Sequence, residues 1–577
     1  MKLLSRFSFL CVLCVSVVNA FSLDREAFTL SHYDLNVRVE PGQQRFGVRG
    51  KIVLRNDSPT PEKIAVLQIS SSLEWRSISA GGKMLQFVAQ PYTSDIDHTG
   101  TLSEAIVTLR VPVAPKETVE LEIAYEGVIV LDATRLTRIN APESAAQATD
   151  WDQISTKFTA VRGAGYVTWY PIATEAASLA EGNSLAERLG RWKEREFGST
   201  MHLQIAVSAG EGDAPELLVN ATSCPSSNEA QHQFVADCTY RSVGSVVPTF
   251  LIANYEVLDR AAIAVHFLRG HDASATNYID AAGKSVPLIN DWFGAPRTKA
   301  QTADLPNEAS PPFESGPLLM TPLAGIDPKV AGLAAAHQLT HAAFSSLRPW
   351  INEGLAHFAQ ALYLEHQSGR QAALDYLAVH RSALNGKNKT KEKLAAAPTP
   401  DDATRNSLIN TYDEELYRSK AMFVWWMLRD MLGDQALKRA LASYHAEDDK
   451  EPSCMPRLIQ AQTQKDLEWF FDDWVYRYHG LPDFKVASAF TRKLLPEGFM
   501  VTVTVENLGA AGAEVPVTVK YAGGEVTKRL VVRSKSTGVI RIEVTKQPEE
   551  IVVNDGSVPE SDTTNNAFKI EASDAAK

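Results

Sequence analysis

Two histidines four residues apart stand in the run Ala336-His337-Gln338-Leu339-Thr340-His341. On a helix, side chains at i and i+4 project from one face about a turn apart, so both imidazoles can reach one tetrahedral metal ion. The chain has thirteen histidines in 577 residues, and the pair taken alone is equally a chance spacing. Its continuation is more informative. Twelve residues after His341 comes Glu353, inside Trp350-Ile351-Asn352-Glu353-Gly354-Leu355-Ala356, at the opening of a second amphipathic stretch.

The elements that must carry these residues follow from hydrophobic periodicity. Residues 329–345, 351–367, 370–384, 416–432, 434–445 and 465–478 repeat apolar positions at intervals of three and four, which predicts helices. Pro349 marks the start of the second. The stretch 386–412, rich in Lys, Asn, Pro and Thr, is expected to be an exposed excursion. Upstream, from about 28 to 258, runs such as Tyr33–Val39 and Thr118–Tyr125 alternate apolar and polar residues between Asp, Gly, Pro and Ser clusters. They predict an antiparallel β-sandwich or saddle, with Thr249–Tyr255 as its last strand. Strand patterns return at Phe499–Val505, Ala513–Tyr521, Val526–Val532 and Gly538–Val544, with a turn at Gly523-Gly524. They predict an immunoglobulin-like sandwich.

The whole chain sets further bounds. With 577 residues it is too long for one core, and at 45% hydrophobic and 22% charged it has ordinary globular composition. A net charge of -12 argues against nucleic acid or an anionic membrane as the main partner. Lys2 and Arg6 precede the apolar run Phe7–Val18, and Val18-Asn19-Ala20 offers small residues for cleavage. Residues 1–20 are therefore expected to be a signal peptide, too short to span a bilayer, and the product to be exported to a periplasmic or extracellular space. No later stretch predicts a transmembrane span. Beyond that segment remain Cys224, Cys238 and Cys454. The first two lie on strand-like runs joined by the polar turn Pro225–Ala230, where a disulfide and two free thiols are both open.

In its helical core the sequence resembles the M1 family of zinc aminopeptidases, which belong to the gluzincins. That family has a helix bearing His-Glu-x-x-His and a second helix opening Trp-Leu-Asn-Glu-Gly-Phe-Ala, whose Glu is the third ligand. His337, His341 and Glu353 match these ligands in turn. The resemblance implies zinc as cofactor, with a fourth position open to water, as in catalytic rather than structural sites. Further matches keep the family's order: Trp169-Tyr170-Pro171, the strand Pro248–Tyr255, Pro312–Leu319, Tyr417-Arg418-Ser419-Lys420-Ala421 and Trp469–Val475. The expected organisation is a multidomain α+β chain. Residues 1–20 are the signal peptide, 21–260 an N-terminal β domain, 261–487 a thermolysin-like, mainly helical zinc domain, 488–566 a C-terminal β-sandwich and 567–577 a disordered tail.

Three departures bear on activity. The family's general base, Glu at the second motif position, is here Gln338. A primary amide cannot shuttle the proton of an attacking water, although it can orient one by hydrogen bonds, and loss of general acid–base help costs on the order of 10²–10⁴ in rate. The segment between the ligand-bearing helices is seven residues shorter than the family's. Tyr417 lies three residues before Lys420 rather than two, and Ala421 stands where the family has Gly.

By the same resemblance Glu314 binds a peptide's N-terminal ammonium, with a plain surface glutamate as the alternative. Tyr417 donates to the oxyanion, with Tyr412 as rival and a packing role as alternative. His357 is either support for the site or a partly buried histidine. The implied function is M1-like aminopeptidase hydrolysis, reduced by Gln338, with a peptide or protein N-terminus as substrate. The alternative is a zinc-binding pseudopeptidase that holds a peptide or partner. A carbohydrate-binding multi-sandwich protein does not explain the helical core.

Overall fold

A computed structural model of the chain describes residues 23–208, 215–229, 233–393 and 407–570. The expected signal peptide, the middle of the 386–412 excursion and residues 571–577 lie outside the described residues. No helix among those described is long and apolar enough to cross a membrane.

The alternating run Phe28–Glu40 is a strand whose inward positions, among them Leu35, Val37 and Val39, are buried. It lies in an eight-stranded sheet, antiparallel to Arg45–Asn56 on one side. On its other side it pairs in parallel with Thr200–Ser208, His32 opposite Thr200 and Val39 opposite Val207. The expectation of a wholly antiparallel sheet fails here. Alternation reports which face is buried, and the side-chain period of two is the same in either direction. Trp169-Tyr170-Pro171 ties the layers together: Tyr125 donates to Trp169 O at 2.9 Å, Tyr33 to Pro171 O at 3.1 Å, and the Trp169 indole to Pro248 O at 3.1 Å. Cys224 and Cys238 are joined as a disulfide, and Cys454 is a buried free thiol.

The run expected to close this region divides in two. Phe250–Ala253 stays in a three-stranded sheet with Glu216–Val219 and Phe158–Val161. Tyr255–Asp259 instead forms a hairpin with Ile263–Leu268 in a five-stranded sheet, continued by Ala300–Asp304, Leu318–Thr321 and the edge strand Phe313–Ser315. The boundary expected at residue 260 therefore falls inside a hairpin. Helices Asp272–Phe293 and Pro328–Ala343 share an apolar core with this sheet, including Val265, Ile279, Ala335 and Leu339.

The helix Pro328–Ala343 starts on Asp327, whose carboxylate accepts from Lys329 N at 2.7 Å, with Pro328 in its first turn. The next, Pro349–Ser368, buries Trp350, Ile351, Leu355 and Phe358 and stops at Gly369. Gly354 lets a third helix, Glu414–Leu432, come close: a Cβ there would lie 2.6 Å from that of Ala421 and 2.9 Å from Trp425 Nε1. One buried cluster continues from Trp350 and Trp425 through Trp474 into Val501, Val517 and Val553. Trp474 donates to Gly512 O at 2.8 Å across the same junction. The C-terminal strands form a three-stranded sheet, Phe484–Lys493, Phe499–Asn507 and Thr537–Val544, and a four-stranded one, Gly524–Val532, Ala513–Tyr521, Pro548–Val553 and Ala567–Lys569. The last strand corrects the tail expected from residue 567, because Ala567–Lys569 pairs with Glu550–Val552. Three residues are too few for alternation to signal a strand.

Candidate metal centre

The helix Pro328–Ala343 brings His337 and His341 together with their Nε2 atoms 3.1 Å apart. From the facing helix, Glu353 presents Oε2 at 3.7 Å from His337 Nε2 and Oε1 at 3.4 Å from His341 Nε2. From the edge strand Phe313–Ser315, Glu314 Oε2 stands 3.3 Å from His337 Nε2. Donors bonded at about 2.0–2.1 Å to one tetrahedral zinc lie roughly 3.3–3.4 Å apart, and these separations bracket that value.

The electrostatics suit a cation. Burial pushes His337 well below the usual imidazole range and lowers His341, which favours the neutral rings whose lone pairs a metal needs. The second ring and the Arg418 guanidinium depress His337 further. For Glu353, burial raises the carboxyl, but His341 and Arg418 outweigh it and the net direction is down. Glu314 is pushed well above the usual carboxyl range, by burial first and by the Glu353 charge second. Its Oε1 is buried without a hydrogen-bond partner. Two neutral imidazoles, two carboxylates and an unsatisfied oxygen fit a divalent metal.

The shortened connection is tight. Only Phe344–Arg348 joins the two ligand-bearing helices. Asn352 accepts from Ser346 N at 3.1 Å and its Nδ2 lies 3.1 Å from His341 Nδ1, while Arg348 Nε donates to Asp449 at 2.8 Å. The short connection still brings donors of both helices to one cluster.

Gln338 does not face this cluster with free hydrogen-bonding groups. Its side chain is fully buried, and Oε1 accepts from Thr302 Oγ1 at 2.8 Å and Tyr278 OH at 3.2 Å. Its Nε2 donates to Gln301 O at 2.6 Å and Pro317 O at 3.2 Å. An amide has two N–H donors and two acceptor lone pairs, and all four are used. The role of orienting a water, expected for Gln338, is therefore corrected: the amide clamps the histidine-bearing helix to the sheet.

Tyr412 is bound elsewhere, its hydroxyl donating to Glu194 at 2.6 Å and its ring lying against Gly190. Tyr417 remains on the centre's side. Burial raises its phenol, as do the charges of Glu414 and Glu353. His357 packs edge-on against His337, ring centroids 4.9 Å apart, with Nδ1 3.5 Å from Tyr376 OH.

Two groups escaped the sequence reading. Arg418 Nε is 3.7 Å from Glu353 Oε2, and the same guanidinium pairs with Glu414. Asn352 orients His341. Arg418 occupies a variable position of its motif, and a lone charge on a helix reads as solvated; Asn352 lies within a quoted motif but carries no ligand chemistry of its own.

The model of the peptidase family M1 domain matches residues 339–474, a segment that includes His341, Glu353, Tyr417 and Trp474 and begins just after His337 and Gln338. No curated protein matches the chain. Two solved structures of a variant M1 zinc metallopeptidase from Deinococcus radiodurans are similar to it at 16% identity. One has a bound Tyr-Ser-Ala substrate and a TM-score of 0.49; the other scores 0.47. Each covers 79% of this chain and 96% of its own, a likeness too distant to support the site. Over residues 339–474, which carry His341, Glu353 and the aromatic helices, the chain is similar to the peptidase family M1 domain, a family whose cofactor is zinc.

Proposed function

We propose that the protein is a zinc-dependent peptidase of the M1 type, acting on the N-termini of peptides or proteins at a rate limited by the missing motif glutamate. The observation that carries this reading is the convergence of His337, His341 and Glu353 within 3.7 Å of one another's donor atoms. These three residues would hold the metal, which when bound supplies a Lewis acid that polarises a carbonyl and acidifies water. Asn352 fixes the His341 ring, and His357 packs against His337. Tyr417 is read as the hydroxyl that donates to the developing oxyanion. Glu314 is the carboxylate that pairs with a free N-terminal ammonium. No side chain at position 338 carries the proton between water and leaving amine, which lowers turnover by about 10²–10⁴. The expected setting is outside the cytoplasm, in a periplasmic or extracellular space. The Cys224–Cys238 bond supports that setting, since disulfides persist in oxidising compartments.

One observation favours a second reading, a zinc-binding pseudopeptidase. Gln338 spends its whole hydrogen-bonding capacity inside the protein, and no carboxylate takes its place in the motif. The test is elemental analysis of the purified protein together with hydrolysis of a fluorogenic aminoacyl library. About one zinc per chain with slow, chelator-sensitive hydrolysis supports the peptidase. Zinc without hydrolysis selects the second reading, and no zinc after titration overturns both.

A further inference from the structure

We propose that Glu314 is a fourth donor to the metal, so that the resting centre is a closed shell of two histidines and two carboxylates. The inference rests on the zinc reading above and concerns what fills the position that a catalytic site leaves open. Glu314, His337 and His341 offer ligand atoms that all lie within 4.8 Å of one another. Glu314 Oε2 is as near to His337 Nε2, at 3.3 Å, as Glu353 is to either ring. Within the protein the carboxylate is not otherwise engaged: among the described residues it forms no ion pair with a lysine or arginine, and Oε1 is buried with no hydrogen bond. A buried carboxylate oxygen in that condition calls for a cation.

The backbone holds this aim. Glu314 is opposite Leu319 in the edge hairpin, and the turn between them is bound by the Gln338 amide through Pro317 O at 3.2 Å. On its flanks, Ser315 O accepts from Asn220 at 3.3 Å, and the Phe313 ring stands edge-on to Tyr166 with centroids 5.2 Å apart. The side chain therefore points at the centre from a fixed strand, with its reach set before any ligand arrives.

A closed shell changes how substrate enters. The ammonium of a peptide N-terminus competes with the metal for the same carboxylate, and pairing with it draws Glu314 off and opens the fourth position. Small anions, which bring no cation, cannot do this. Peptides with a free N-terminus are thus admitted by the group that otherwise closes the site.

Two measurements on the full-length mature protein test the proposal. In competition with a chromophoric chelator, Glu314→Gln should bind one zinc per chain at least 10–100-fold more weakly than wild type, taking the loss of an outer partner as the lower bound. In the cobalt-substituted protein, azide should leave the wild-type visible spectrum unchanged, alter that of Glu314→Gln, and contrast with leucinamide, which should alter wild type. The wild-type arm needs no variant and survives any folding failure of Glu314→Gln. Equal zinc affinity in the two proteins, or a wild-type cobalt spectrum that shifts with azide, overturns the fourth donor and leaves the zinc reading intact. Absence of metal binding in wild type removes both.

Discussion

Replacing Gln338 by Glu exchanges an amide nitrogen for an oxygen at the point where the side chain donates to Gln301 O at 2.6 Å and Pro317 O at 3.2 Å. The two residues are nearly isosteric, so sequence comparison alone expects the change to restore a general base and raise turnover by about 10²–10⁴. The geometry predicts otherwise. A carboxylate there meets two carbonyl oxygens, and relief requires protonation, which at pH 7 costs about 3–4 kcal/mol relative to a glutamate titrating near 4.3. The protonated acid donates one bond and strands the other carbonyl, adding about 1–3 kcal/mol. The total is about 4–7 kcal/mol at pH 7. The sign of the pH dependence is fixed by the raised folded-state pKa: the variant's deficit is smallest below the unfolded pKa and grows as pH rises through 7. Calorimetry of metal-free wild type and Gln338→Glu at pH 5 and pH 7.5 reads this directly, with peptide turnover measured alongside. A variant as stable as wild type at both values, with turnover up by two orders or more, would refute the clamp and place residue 338 in the cleft.

Four other outcomes are expected. His341→Ala or Glu353→Ala should lose the metal, because the remaining donors hold it too weakly, and elemental analysis after gel filtration reads the loss. In a variant that still hydrolyses peptides, Tyr417→Phe should lower kcat by about 10²-fold or more while Tyr412→Phe leaves it unchanged, since Tyr412 donates to Glu194. Glu196, fully buried and accepting from Leu30 N and Ser199 Oγ, is pushed by burial to about 7. Its contribution to stability is therefore present below about pH 4.5 and lost as pH rises towards 7. Glu196→Gln should remove that slope in urea titrations and gain up to about 3 kcal/mol at pH 8. Replacing Cys224 and Cys238 together by Ser opens a loop of sequence separation 14 and should cost about 3 kcal/mol, read as a lowered Tm of the N-terminal sheet.

The candidate ligand set was legible from a helical spacing together with the resemblance of its surroundings to the M1 motif. A spacing of four on a helix is short-range geometry, so His337 and His341 share a face in any fold that keeps the helix, and the motif around Glu353 announced a second helix opening on the same side. Alternation likewise located strands such as Phe499–Asn507 and Ala513–Tyr521, because burial of one face needs no knowledge of the partner. What depends on distant backbone was hidden. The strand Phe28–Glu40 meets Thr200–Ser208 in parallel, and no property of either run records that direction. Tyr412 and Tyr417 are five residues apart with similar surroundings in sequence, and only the approach of the helix bearing Glu194 and Gly190 separates their roles. Gln338 shows the division most plainly. Its amide chemistry could be read from one letter, whereas its partners belong to Tyr278, Gln301, Thr302 and Pro317, brought together by the sheet. Residue type sets which bonds a group can make; the tertiary structure decides which are made, because burial leaves no water to satisfy the rest.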